Sequence, residues 1–147
     1  MSAKPPVVLP FVLAVLLAAV LASLVQSHFT VTALVALGAP MPLEVRLDTM
    51  ARDLLGFAPT FALLCSVAFL VALPLTGRLL GRHPVVRLIG FASSGALAIW
   101  CALTAANFVL PMPTLIAADR YVSGTLGLLL AGACGAVLFS WLSRSRG

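Results

Sequence analysis

Charge in this chain is confined to a few short islands, and the intervals between them are long and apolar. No charged residue lies between Lys4 and Glu44, between Asp53 and Arg78, between Arg87 and Asp119, or between Arg120 and Arg144. Soluble domains carry about a quarter of their residues as charges, spread over every water-facing surface. Here 9% of 147 residues are charged, 62% are hydrophobic, and the mean hydropathy is +1.16. The fold class these intervals imply is an all-α integral membrane protein, a four-transmembrane-helix bundle.

The spans follow from the intervals. Val7 to Val25 is an almost unbroken apolar run, long enough to cross a hydrocarbon core of about 30 Å at 1.5 Å per residue. A secretory signal competes for this run, since Lys4 precedes it and Val20-Leu21-Ala22 resembles a cleavage site. The run exceeds a usual signal core, so it is assigned as the first span. The others are expected at residues 59–75, 88–110 and 122–142, with a basic loop at 78–87 and a loop at 111–121 around Pro111-Met112-Pro113. Gln26, Ser27 and His28 mark the exit of the first span. Phe29 to Leu37 reads as a short surface helix ending at Gly38, with a short strand as the alternative.

Between the first two spans lies PLEVRLDTMARDLLG, residues 42–56, which holds three of the four acidic residues. Pro42 suits a first helical position, Glu44 and Asp48 suit the positive end of a helix dipole, and Gly56 suits a C-terminal cap. At 100° per residue, Leu43, Leu47, Met50, Ala51 and Leu54 share one face, with Glu44, Asp48 and Arg52 beside it. The expectation is a short amphipathic surface helix over 42–55, lying on the membrane or capping the bundle as a lid.

Orientation follows from the basic residues. Lys4, Arg78, Arg82, Arg87, Arg144 and Arg146 fall on one side of a four-span topology; Arg46, Arg52, Arg120 and all four acids fall on the other. The positive-inside rule then puts both termini in the cytoplasm, which with the arginine- and alanine-rich usage suggests a bacterial inner membrane. The formal charge of +5 sits at segment ends and forms no basic patch with interleaved aromatics, so no nucleic acid is expected as partner.

Small residues recur every four positions: Ala14, Ala18 and Ala22; Ala58, Ala62 and Ser66; Gly90, Ser94, Ala98, Ala102 and Ala106; Gly127, Ala131 and Gly135. Such stripes let membrane helices approach closely. Tight packing is expected above all for the third and fourth spans, through Gly90, Ser94, Ala98, Gly127, Ala131 and Gly135.

No ionisable residue falls at the middle of a span, where proton and ion paths normally carry one. Cys65, Cys101 and Cys134 lie in separate apolar runs with no CxxC or Cys–His spacing, so they read as small apolar side chains and no metal or cofactor is expected. Polar candidates converge instead on the outward face: His28, Glu44, Asp48, Arg52, Asp53, Asn107, Asp119, Arg120 and Tyr121. Carboxylates with a histidine can bind a metal or run acid–base chemistry, but Glu44 and Asp48 lack an HxxE or HExxH partner. Solvated charges, paired between the surface helix and the Asp119-Arg120 loop, are the expectation.

Three functions remain. The first is a non-enzymatic accessory or self-associating subunit, a homo-oligomer or membrane-protein partner whose outward face binds a lipid or an apolar small molecule. The second is a small transporter or channel between protomers, lined by Asn107 and the serines of the third span. The third is a membrane enzyme using Glu44 or Asp48 with His28 or Arg120 on a lipid-like substrate.

Overall fold

The structure, a computed structural model, describes residues 7–80, 83–109 and 117–144. The chain is all-helical: α1 (Val8–Ala36), α2 (Leu43–Leu79), α3 (Pro84–Val109) and α4 (Val122–Arg144), with a 3-10 turn at Ala117–Arg120. Each of the four helices is long and apolar enough to cross a membrane. Lys4, Arg82, Pro111-Met112-Pro113 and Arg146, singled out above, lie outside the described residues.

Two boundaries differ from the sequence reading. The surface helices expected at 29–37 and 42–55 are not separate elements. The first is the end of α1, which runs on unbroken from the expected span. The second is the start of α2, which passes through Gly56 and Pro59 without a break. Gly56 does not adopt the positive φ of a C-terminal cap. Pro59 withholds one backbone donor, a cost that a long apolar helix absorbs when neighbouring turns hold. Where α1 does stop, its cap is complete. Gly38 (φ 80°) donates its N–H to Val35 O (2.9 Å), and Ala39 donates to Leu34 O (3.1 Å), the pair of bonds of a Schellman motif.

The loop between α2 and α3 is shorter than expected, because Arg78 belongs to the last turn of α2 and Arg87 to the first turns of α3. Pro84 opens α3, where its missing N–H costs nothing.

The helices form a ring in chain order, α4 closing on α1, with diagonal pairs barely touching. Ala14, Ala18 and Ala22 are fully buried. Phe61, Cys65, Phe69 and Leu73 supply the buried stripe of α2. The small-residue stripes face the neighbouring helices of the ring. On α4, Gly127 and Gly135 face α1: a Cβ at Gly135 would lie 2.7 Å from Ala14 O, and one at Gly127 would lie 2.8 Å from Val25 Cγ1. Ala131, on the turn between them, is buried. The close approach of α3 to α4 is made by Gly95, whose Cβ would lie 2.5 Å from Gly132 O and 2.6 Å from Ala136 Cβ. Gly90, Ser94 and Ala98 instead face α2. The two faces of α3 adjoin and both are small, so periodicity alone does not assign them.

Candidate functional site

The bundle has an end that carries all four acids, Glu44, Asp48, Asp53 and Asp119, together with Arg46, Arg52 and Arg120, called here the acidic end, and a basic end, carrying Arg78 and Arg87. At the basic end Arg87 reaches from α3 to α4, its Nε donating to Ser140 Oγ (3.2 Å) and its Nη2 to Ser143 Oγ (3.4 Å). Its guanidinium lies 5.2 Å from the Phe91 ring centroid. A cation there also meets the negative end of the α4 dipole.

At the acidic end the polar side chains are used to join helices. Gln26 is buried, and its Oε1 accepts the Ala118 N–H (2.9 Å), docking the 3-10 turn onto α1. Ser27 donates to Asp53 Oδ2 (2.9 Å), tying α1 to α2. Asn107 Nδ2 donates to Asp119 Oδ2 (2.6 Å), and Thr125 Oγ1 donates to Asp119 Oδ1 (3.0 Å). Tyr121 stacks on Phe29 at 5.6 Å, and His28 meets the edge of Phe29 at the same separation. Ser23, one turn below Gln26, is buried with an Oγ that has no hydrogen-bond partner among the described residues.

Of the nine outward candidates, then, Asn107 is brought to Asp119, and Tyr121 is gathered with His28 around Phe29. Asp48 pairs with Arg52 one turn along its own helix (2.7 Å), Asp53 takes Ser27, and Asp119 takes Asn107 and Thr125. Glu44 stands apart: Asp53 is level with Ser27, so Glu44, nine residues earlier on the antiparallel α2, is about 12 Å along the axis from His28. Segment 42–55 forms the first turns of α2 rather than a separate capping helix. Among the described residues, no three of His, Cys, Asp and Glu are grouped to hold a metal ion.

Gln26 and Ser27 were visible as polar residues closing an apolar run, and read as a membrane exit rather than as joints between helices. A larger feature had no signal in the sequence. A groove of about 1180 Å³ runs between α2 and α3, lined by Phe57, Leu64, Ala68 and Ala72 on one wall and Ala98, Cys101, Ala102 and Ala106 on the other. Its polar lining is sparse: Thr60, Thr76, Ser94 and Asn107. The groove exists because the stripe of α3 offers alanines where α2 would need larger partners. Towards the basic end the helices are joined, with Thr76 and Ser94 hydroxyls hydrogen-bonded at 2.5 Å and Gly90 under Leu80. Towards the acidic end the groove reaches Gly56 on α2 and Asn107 on α3. From Ser94 to Val109 its α3 wall is about 23 Å long, more than the roughly 15 Å of one hydrocarbon leaflet.

The chain matches no protein-family model, no curated protein and no solved structure.

Proposed function

We propose that this is a non-enzymatic, multi-pass protein of a bacterial inner membrane, with both termini cytoplasmic, that holds the acyl chain of an outer-leaflet lipid in the groove between α2 and α3. The observation that carries the reading is the groove: long, almost wholly apolar, and ending at the acidic end beside a single amide, Asn107. Ligand pockets combine apolar walls with a few polar groups in this way. The bond between Thr76 and Ser94 ties the two walls together towards the basic end, which supports entry of a chain from the acidic, extracytoplasmic side, where the groove reaches Gly56 and Asn107. The non-enzymatic reading is supported by the polar lining itself. Thr60 and Thr76 hydroxyls bond Gly56 and Ala72 carbonyls, Ser94 bonds Thr76, and Asn107 bonds Asp119, so no nucleophile meets a base inside the groove.

Self-association through the same groove is the second reading. Ala98, Ala102 and Ala106 form a small-residue stripe that α2 leaves open, a surface suited to a helix of a second copy.

Reconstitution with chain-spin-labelled phospholipid tests both. The wild type should give a motionally restricted lipid component that falls by at least half when the groove is filled by Ala102→Phe or Ala105→Phe. An undiminished component in both well-folded variants would overturn the lipid reading. Cys101 is exposed in the groove, and its oxidative cross-linking into dimers in native membranes would favour the second copy instead.

A further inference from the structure

We propose that the seam between α3 and α4 at the basic end binds an anionic phospholipid, with Arg87 holding its phosphodiester and an apolar furrow beside the seam taking one acyl chain. The site is separate from the α2–α3 groove and requires only that the bundle spans a membrane. The furrow, of about 500 Å³, is lined by Ala92 on α3 and by Ala133, Cys134, Val137, Leu138 and Trp141 on α4. From Ala133 to Trp141 it runs about 12 Å along α4, within the roughly 15 Å of one leaflet. Exposed Trp141 stands at its outer end, the level at which membrane proteins place tryptophan. Arg87 meets the furrow there. Its Nε donates to the Oγ of buried Ser140 (3.2 Å), and the Ser140 and Trp141 Cα atoms are one step of about 3.8 Å apart. On α3 itself, Ala92 lies five residues from Arg87, about 7.5 Å further along the axis.

The charge of Arg87 is not cancelled within the chain. Its described partners are two neutral hydroxyls and the Phe91 ring, and the two bonds leave three of the guanidinium's five N–H donors for an anion. The positive end of the α3 dipole and the negative end of the α4 dipole meet here and offset each other, so formal charges decide. Those on this flank are Lys4, Arg78, Arg82, Arg87, Arg144 and Arg146, with no acid among them. On α4 the nearest acid, Asp119, precedes Val122, which is itself about 27 Å along the axis from Ser140. On α2, Asp53 is about 39 Å from Leu79. Both separations exceed three Debye lengths of about 8 Å at physiological salt. Arginine's planar fork matches a phosphate in a bidentate pair, whereas a zwitterionic headgroup brings its own cation into this field.

Quenching of Trp141 fluorescence by chain-brominated lipids reads this seam, in a Trp100→Phe background that leaves Trp141 as the single tryptophan. Around Trp141 of the reconstituted full-length protein, brominated phosphatidylglycerol should be preferred to brominated phosphatidylcholine by about threefold or more, and less so as ionic strength rises. Arg87→Gln should abolish the preference and Arg87→Lys should keep most of it. Arg78→Gln, which removes the same charge from α2, should leave it unchanged. Ala92→Phe, which fills the furrow, should at least halve it. No preference in the wild type, equal losses in Arg87→Gln and Arg78→Gln, or an undiminished preference in Ala92→Phe would overturn the site. Inorganic phosphate in millimolar excess at constant ionic strength should have no effect; loss of the preference would assign Arg87 to a free phosphate instead. Ala102→Phe, in the α2–α3 groove, should not alter the quenching, so failure of either site leaves the other standing.

Discussion

Glycine decides the packing of this bundle one atom at a time. A Cβ at Gly95 would meet the Gly132 carbonyl oxygen at 2.5 Å, and that oxygen is backbone, so α3 and α4 must separate to admit it. A Cβ at Gly77 would meet only Phe91 Cζ at 3.8 Å, an ordinary contact. Gly95→Ala should therefore destabilise the protein by about 1–3 kcal/mol, the usual cost of overpacking. Gly77→Ala should be neutral or slightly stabilising, since alanine is the better helix former. Unfolding of both variants in mixed micelles, followed by helical circular dichroism, checks the pair; equal stabilities would remove Gly95 from the α3–α4 contact. The sequence revealed that small residues recur every four positions, and for Ala14, Ala18 and Ala22 that sufficed. For α3 it did not, because Gly95 lies one position along from the Gly90–Ser94–Ala98 stripe, only about 100° around the helix. Which small face meets which neighbour is a property of the assembled ring.

At the scale of elements, the two glycines near the acidic end behave in opposite ways. Gly38 ends α1 in a left-handed conformation, while Gly56 lies in the interior of α2 with open space around the position of a Cβ. Alanine at Gly56 should raise stability by about 0.5–1 kcal/mol, because glycine's extra backbone freedom is lost on folding. Alanine at Gly38 should lower it by about 1–2 kcal/mol, the penalty for a Cβ in that conformation. The same micelle unfolding measurement decides, and a destabilising Gly56→Ala would mean that α2 is broken there after all. The four long apolar helices were legible because their lengths are set by charge-free intervals. The Gly56–Pro59 boundary misled because those residues are the strongest local punctuators, and their effect is overridden when the flanking turns are bonded and packed. The joints made by Gln26 and Asp119 were illegible for a different reason: each depends on a partner more than five residues distant.

For the whole molecule, unequal helix lengths carry the next consequence. At 1.5 Å per residue α1 and α2 are about 44 Å and 56 Å long, against about 39 Å and 35 Å for α3 and α4. Gln26 bonds Ala118 in the turn that leads into α4, so this bond marks the level at which the shorter helices end. Beyond it α1 continues from Ser27 to Ala36, about 15 Å, paired with the start of α2. A bilayer's polar layer is only some 5–8 Å deep on each side of its hydrocarbon core, so in the proposed orientation this hairpin stands clear of the headgroups on the extracytoplasmic side. Its charges, Glu44, Arg46, Asp48 and Arg52, are then solvated, which a helix lying flat in the interface would not require of all four. A single cysteine at Ala39, in a background lacking Cys65, Cys101 and Cys134, should react with a membrane-impermeant maleimide in spheroplasts as fast as in detergent. A cysteine at His83 should react only after the membrane is permeabilised. Labelling of His83→Cys alone in sealed spheroplasts would reverse the orientation, and with it the leaflet from which a lipid reaches the groove, and labelling of both sites would overturn a single spanning orientation of α2.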